Sequence, residues 1–411
     1  MKKVVLIVAL IALMSVSTVS LFANGGKDTG DAKSTVTFWL ADYEGIDHDF
    51  VGEIAAAFEA KYPEYEMDLV IVDWNALHDK LTTALASGTP PDASVIGTRW
   101  LLELMDLDAV VAPGDYVSQS TFDNIAPGAM EAKIDGTLMG IPFAAGSRFM
   151  AMNKSLASEA PATMEELREL AIEASKGGDY GLIMPGAKHS ELSDFVYYFY
   201  AAGGEFFDAN GKCIVNSPEG VKALEFMLQL ALEDKVVQDG FMAQDRKESH
   251  PIFMGGKAAY VMIGAWADTE YGKMNADWDI EYMQIPPFAG NDPAPLIVTD
   301  SIALYSDGDN LEGIGKFIDF MYQDEWKAPL DKGMGFPPVT ISAAKRPEFQ
   351  TPMYAAMAEA NLNAKGWPLV TGWVESASII IDANQKALLG QMSAKEALDW
   401  AAAEVDKVRA E

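Results

Sequence analysis

Five tryptophans of this 411-residue chain stand beside charged or hydroxyl-bearing residues at the ends of apolar runs or in irregular chain. Trp39 closes the first apolar run, with Asp42 and Glu44 after it. Trp100 comes just past the third, behind Thr98 and Arg99. Trp266 ends the late run Ala258 to Ile263 and precedes Asp268, while Trp367 and Trp373 lie in an irregular stretch before a late helix, with Glu375 beside them. An indole offers a broad apolar face and a single donor. Interleaved with carboxylates and an arginine, such faces suit a solute with C–H faces and a rim of hydroxyls, which is the chemistry of a sugar. Most tryptophans in a chain of this size serve packing; Trp278, Trp326 and Trp400, in helical or turn contexts, are assigned to it.

Bond-making chemistry has no comparable constellation. The four histidines, His48, His78, His189 and His250, are far apart and none has metal-ligand spacing. Gly146-Ser147-Arg148 lacks the flanking glycine of a nucleophile elbow. Gly333-Met334-Gly335 runs into Pro337-Pro338, which removes the donors a phosphate would need, and Asp208 to Lys212 begins like a calcium loop but brings no later carboxylates, so it reads as a hairpin turn. Acidic residues number 61, which makes chance carboxylate pairs common and of little weight for glycosidase chemistry. Neither catalytic residues nor metal ligands nor a cofactor is expected.

The elements that would position the indoles are legible. Val36, Phe38 and Leu40 alternate in a strand over Thr35 to Leu40. Phe50, Ile54, Ala57 and Phe58 recur at helical spacing up to Pro63, Glu66 to Val72 reads as a strand, and Leu77, Leu81 and Leu85 mark a helix ending before Gly88. Ala93 to Ile96 is a third apolar run, completing a βαβαβ unit with a mainly parallel sheet. Leu138 to Phe143 and Phe149 to Asn153 are expected as strands separated by a break at Ala144-Ala145-Gly146-Ser147. Beyond them the spacing predicts helices opened by Thr163, Ser217 and Ser393, and strands over Gly181 to Met184, Ala258 to Ile263, Ile280 to Gln284 and Ile302 to Tyr305. Two α/β lobes follow.

Lys2-Lys3, the apolar run Val4 to Met14 and the small residues up to Ala23 read as an export signal cut after Ala23, with a polar linker over 24–34. No other stretch approaches ~18 uninterrupted apolar residues. Asn24 stands where a lipid-modified cysteine would be. Cys213 is the only cysteine, which excludes an intramolecular disulfide, and it reads as a buried or half-buried strand thiol. The formal charge of −31 repels nucleic acid and anionic membrane surfaces, so neither is expected as a partner.

In order and spacing, several segments resemble the family 1 extracellular solute-binding proteins of bacterial ABC transporters, the group that includes maltose-binding protein. They are Thr37-Phe38-Trp39, Phe58 to Pro63, Leu85-Ala86-Ser87-Gly88 with Pro91-Asp92, Ile141-Pro142-Phe143, Met152-Asn153-Lys154 in place of a Tyr-Asn-Lys, Phe253 to Ala259 leading to Gly264-Ala265-Trp266, and Gly335-Phe336-Pro337. The resemblance implies a two-lobed periplasmic-binding-protein fold of type II-like topology, with crossings near 144, 297 and 343. The first lobe would comprise 35–144 and 297–342 and the second 145–296 and 343–411, closing on a solute by hinge motion. It implies a monomeric periplasmic receptor that passes a mono- or oligosaccharide to a membrane permease. Trp266 would be the stacking platform. Trp39, Asp42, Glu44, Thr98, Arg99 and Trp100 would line the cleft from the first lobe, Ser147 and Arg148 its floor, and His189, Glu191, Asp268 and Trp373 the second lobe. Two alternatives stay open: a receptor for ferric ion or polyamine, for which Tyr197-Tyr198 is the motif to weigh, and an exported enzyme acting on polysaccharide.

Overall fold

In the computed structural model, which describes residues 33–410 apart from 44, 127–128, 130–131, 135, 189–191 and 265–278, Val36, Phe38 and Leu40 are buried as their alternation predicts. The strand that carries them is longer than expected, Ser34–Asp42. It pairs in parallel with Tyr65–Asp73 on one side and Ala93–Gly97 on the other. The helices His48–Lys61 and Trp74–Ala86 form the crossovers that parallel neighbours require. Ile297–Tyr305 joins antiparallel beside Ala93–Gly97, and its other edge carries Val110–Val111 and Ile141–Ser147. A second sheet runs in the order Ile280–Met283, Phe149–Asn153, Ala258–Ile263, Tyr180–Ile183, with only the last pairing parallel. The fold is α/β and two-lobed, each lobe built on one sheet.

The expected break at 144–147 is in fact strand, Ile141–Ser147. Its small residues serve close packing, since a Cβ on Gly146 would lie 3.3 Å from both Met357 Sδ and Phe336 Cδ1. The register against Ile297–Tyr305 slips here, Asp300 pairing with Ala144 and Ser301 with Pro142, so Phe143 is the extra residue of a β-bulge. A bulged residue leaves the ladder, and its carbonyl needs another donor. Lys327 Nζ supplies it at 2.8 Å, while the Tyr322 hydroxyl donates to the Pro142 carbonyl at 2.6 Å. Lys327 is fully buried and pairs with the equally buried Asp331 one turn along the helix Asp324–Met334. That helix ends in a Schellman motif: the Gly335 N–H donates to the Lys332 carbonyl and the Phe336 N–H to that of Asp331. Gly335 takes the left-handed φ of 80° that the motif demands.

A short helix runs over Phe195–Ala201. Leu192, Ser193 and Asp194 before it have φ of 53°, 53° and 64°, a left-handed turn that costs L-residues roughly 1–2 kcal/mol each. Tertiary bonds hold it in place. Ser193 Oγ donates to the Ala187 carbonyl at 2.8 Å and Asn384 Nδ2 donates to the Leu192 carbonyl at 3.1 Å. Elsewhere the expected caps form: Ser217 accepts from the Gly220 N–H, and Ser393 makes a full capping box with Glu396. Thr163 accepts from the Glu166 N–H, but the Glu166 carboxylate reaches the N–H of Ala162 instead of returning to Thr163.

Cys213 is buried as expected, beside the hairpin turn Asp208 to Lys212. Burial lifts its thiol to about 11. Since the thiolate is the reactive species, a colorimetric thiol titration of native protein should find no reactive group within minutes and one after unfolding in guanidinium. Prompt reaction of the native protein would show that this second-lobe hairpin opens freely.

Candidate ligand-binding groove

Open parallel sheets bind ligands beyond the carboxyl ends of their strands. Here the residues that follow those ends are Tyr43 after Asp42, Trp74 and Asn75 after Asp73, and Arg99 and Trp100 after Gly97. They form one aromatic wall. Trp74 stacks on Trp100 with centroids 5.8 Å apart at 25°, and the His78 ring meets Trp100 edge-on at 4.8 Å. Tyr43 lies 5.5 Å from Trp74, 6.1 Å from Phe143 and 5.7 Å from Phe336. Its hydroxyl donates to Asp300 Oδ2 at 2.9 Å. Burial, and after it the Asp300 carboxylate, hold that hydroxyl well above its ordinary pKa, so it remains a neutral donor.

The opposite wall belongs to the second lobe. Trp367 and Trp373 stand 5.5 Å apart, with Phe206 behind them at 6.4 and 5.0 Å. A small cavity of about 60 Å³ lies among Tyr43, Arg148, Asp300, Phe336 and Trp367. Sharing Trp74, Asn75 and Arg99 with it is a larger one of about 300 Å³ between Trp100 and Trp373. That volume is at the low end of the ~300–1,000 Å³ usual for ligand sites, which favours a short ligand. Two contacts bridge the lobes near this groove: Lys247 Nζ lies 3.5 Å from Asp73 Oδ2, and Thr371 Oγ1 donates to Asp106 Oδ2 at 2.9 Å.

Among the residues singled out from sequence, Asp42, Arg99, Trp100, Arg148 and Trp373 line the groove. Thr98 and Ser147 are buried behind it, Thr98 Oγ1 bonded to Ser301 Oγ at 2.7 Å and Ser147 Oγ donating to Asn361 Oδ1 at 2.5 Å. Trp39 lies elsewhere. Because the first strand continues to Asp42, Trp39 sits inside it instead of at its tip, and its ring is covered by Lys80 Nζ at 4.2 Å. Glu44, His189, Glu191, Trp266 and Asp268 lie outside the described residues.

Sequence reasoning passed over Tyr43, Trp74, Asp300, Arg246 and Lys247. Trp74 had a signal, since it follows the second parallel strand as Trp100 follows the third. Arg246 and Lys247 had none: they open the helix Arg246–Met254, capped by Asp245, and the fold alone brings them to the groove. Tyr197 and Tyr198 are buried in the second-lobe core, with the Tyr198 hydroxyl 3.8 Å from Met184 Sδ and held by burial well above its ordinary pKa. That is a poor phenolate donor for ferric ion. Among the described residues no three His, Cys, Asp or Glu side chains are gathered as a metal would need.

A family model described as bacterial extracellular solute-binding protein matches residues 47–328. A binding protein of Brucella abortus is 29% identical over 394 residues, spanning 93% of this chain and 94% of its own length. The diacetylchitobiose binding protein of Streptomyces coelicolor is 25% identical over 350 residues, covering 78% of this chain and 79% of its own. Among solved structures, maltose-bound MalE3 of T. maritima has the same fold, with a TM-score of 0.83 at 21% identity over 91% of this chain and 99% of that one.

Proposed function

This chain belongs to the bacterial extracellular solute-binding proteins, and from that membership we propose that it is an exported receptor that captures a mono- or short oligosaccharide and delivers it to the permease of an ABC-type transporter. The observation that carries the reading is the groove with indoles on both sides, Trp74 and Trp100 from one lobe, Trp367 and Trp373 from the other. Sugar rings present C–H faces to such walls while their hydroxyls donate to carboxylates such as Asp42 and Asp300. Relatives named for diacetylchitobiose and maltotriose binding support the same class.

In this reading the lobes are 35–144 with 297–342 and 145–296 with 343–411, hinged where the chain crosses near 144, 297 and 343. Closure brings Lys247 to Asp73 and Thr371 to Asp106 around the solute. The segment 1–23 is removed as a signal, Asn24 leaves no site for a lipid anchor, and the mature chain works as a periplasmic monomer. Its role is binding, without catalysis, and its charge of −31 disfavours nucleic acid.

A thermal-shift screen of the purified protein against mono-, di- and trisaccharides, with ferric citrate and spermidine beside them, tests this. A ligand at 100 times its dissociation constant adds ~2.7 kcal/mol of stability. One saccharide series should therefore raise the unfolding temperature by several degrees and be recovered uncut. A response to iron or spermidine with silence across all saccharides would remove the sugar reading, and release of reducing ends would make the protein an enzyme.

A further inference from the structure

A buried ion pair is weak evidence for stability, since apolar side chains of similar volume hold a core as well. Lys327 and Asp331 are both fully buried, one turn apart in the helix Asp324–Met334. Their satisfaction is incomplete: Asp331 Oδ2 has no hydrogen-bond partner among the described residues. What the pair does hold is a residue of another element. Lys327 Nζ donates to the Phe143 carbonyl at 2.8 Å and also lies 4.6 Å from the centre of the Phe143 ring.

Phe143 is the extra residue of the bulge, and its place decides what the strand Ile141–Ser147 presents. Side chains alternate along a strand, so a slip of one residue would turn those on one side of the bulge to the opposite face. Pro142 is fixed as well, its carbonyl accepting the Tyr322 hydroxyl at 2.6 Å. The bulge reaches the groove directly. Asp300 pairs with Ala144 at the slip and accepts the Tyr43 hydroxyl at 2.9 Å, while the rings of Phe143 and Tyr43 stand 6.1 Å apart. Tyr43 and Asp300 line the smaller cavity, and so does Phe336, which follows the turn that ends the lysine's own helix. Re-aiming side chains beside a site is a recurrent use of bulges.

Resting on the saccharide reading above, we propose that Lys327 and Asp331 are positioning residues of the groove. Both are fully buried and act only through others. Lys327 holds Phe143 by its carbonyl and its ring, the pinned bulge sets the register at Asp300, and Asp300 with Phe143 seats Tyr43 where the sugar enters. Asp331 keeps the lysine at that station.

The double variant Lys327→Met with Asp331→Leu separates this role from stability. Its unfolding midpoint is expected near the parent's, whereas the tightest binder among glucose, maltose, maltotriose and diacetylchitobiose should lose about tenfold in calorimetric titration. In ligand-free protein the amides of Ile141–Ser147 should exchange with deuterium faster than in the parent. Tyr322→Phe keeps the ion pair and removes only the support of Pro142; it should weaken the same sugar about threefold. Leu398→Ala opens a cavity in the second-lobe core, away from the cluster that holds Phe143. That variant should lower stability yet leave affinity within about twofold. Unchanged affinity or unchanged exchange in the double variant would make the pair a stabilising contact only and overturn the inference, as would an equal loss of affinity from Leu398→Ala. Were the double variant not to fold, unchanged affinity in Tyr322→Phe would overturn it alone. If the parent binds none of the four sugars this inference falls, and the wider saccharide screen decides the reading beneath it.

Discussion

Trp74→Ala is expected to weaken binding of the saccharide found in the screen by ~30- to 1,000-fold, the ~2–4 kcal/mol typical of a central aromatic anchor. Trp74 earns that weight by position. It opens the helix Trp74–Ala86 under the Asp73 cap, stacks on Trp100, touches Tyr43 and borders both cavities of the groove. Being half-buried and at a helix start, it can be truncated with little loss of fold, so the unfolding temperature of ligand-free protein should move by only a few degrees. Trp39→Ala is the control. Its ring lies under Lys80 away from the groove, and its loss should leave affinity within about twofold of the parent, which is small beside a hot-spot effect. Calorimetric titration of both variants decides the matter: unchanged binding by Trp74→Ala would place the solute elsewhere, and a large loss from Trp39→Ala would do the same.

A second large effect is expected far from solvent. Asp331→Leu should destabilise the protein by about 3–5 kcal/mol, because it strands a buried lysine charge. Lys327 would keep its bond to the bulged Phe143 carbonyl but lose its counter-charge. The double replacement Lys327→Met with Asp331→Leu removes both charges and should recover most of the loss, since apolar side chains of similar volume can replace a buried pair. Urea unfolding of the parent, both single variants and the double variant completes the cycle; a double variant no more stable than Asp331→Leu would mean that the Phe143 carbonyl, not the charge pair, sets the cost.

The pH dependence has a definite sign. Burial, opposed by Lys327, lifts Asp331 to about 6 in the folded protein, above its ordinary 3.8. Between about pH 4 and 6 the folded chain then binds the proton that the unfolded chain has released, so this carboxyl's contribution to stability falls as pH rises through that window. The double variant should lack that component.

Much of the first lobe could be read from sequence because its three parallel strands are short apolar runs separated by amphipathic helices. The rule that ligands gather at strand ends pointed to Asp42, Arg99 and Trp100, which line the groove. It failed at Trp39 for a reason of length: the strand outlasts its apolar alternation, ending at Asp42 where pairing with Asp73 ends. It missed Trp74 although the same rule applied. Other features were out of reach of local pattern. The bulge at Phe143 depends on register against Asp300 and Ser301, far along the chain, and Asp300 reaches the groove only because Ile297–Tyr305 inserts beside Ala93–Gly97. Arg246 and Lys247 stand in an ordinary capped helix start, and only the folded arrangement gives them a site.

Four of the seven tryptophans among the described residues, Trp74, Trp100, Trp367 and Trp373, wall one groove. Indole emission depends on the polarity and mobility of its surroundings, and a solute entering here replaces water against several rings at once. Occupancy is thereby converted into light, so that the unlabelled protein is an optical gauge of its own filling, with the groove's indoles supplying the signal and Trp39, whose ring lies under Lys80 away from the groove, part of the steady background.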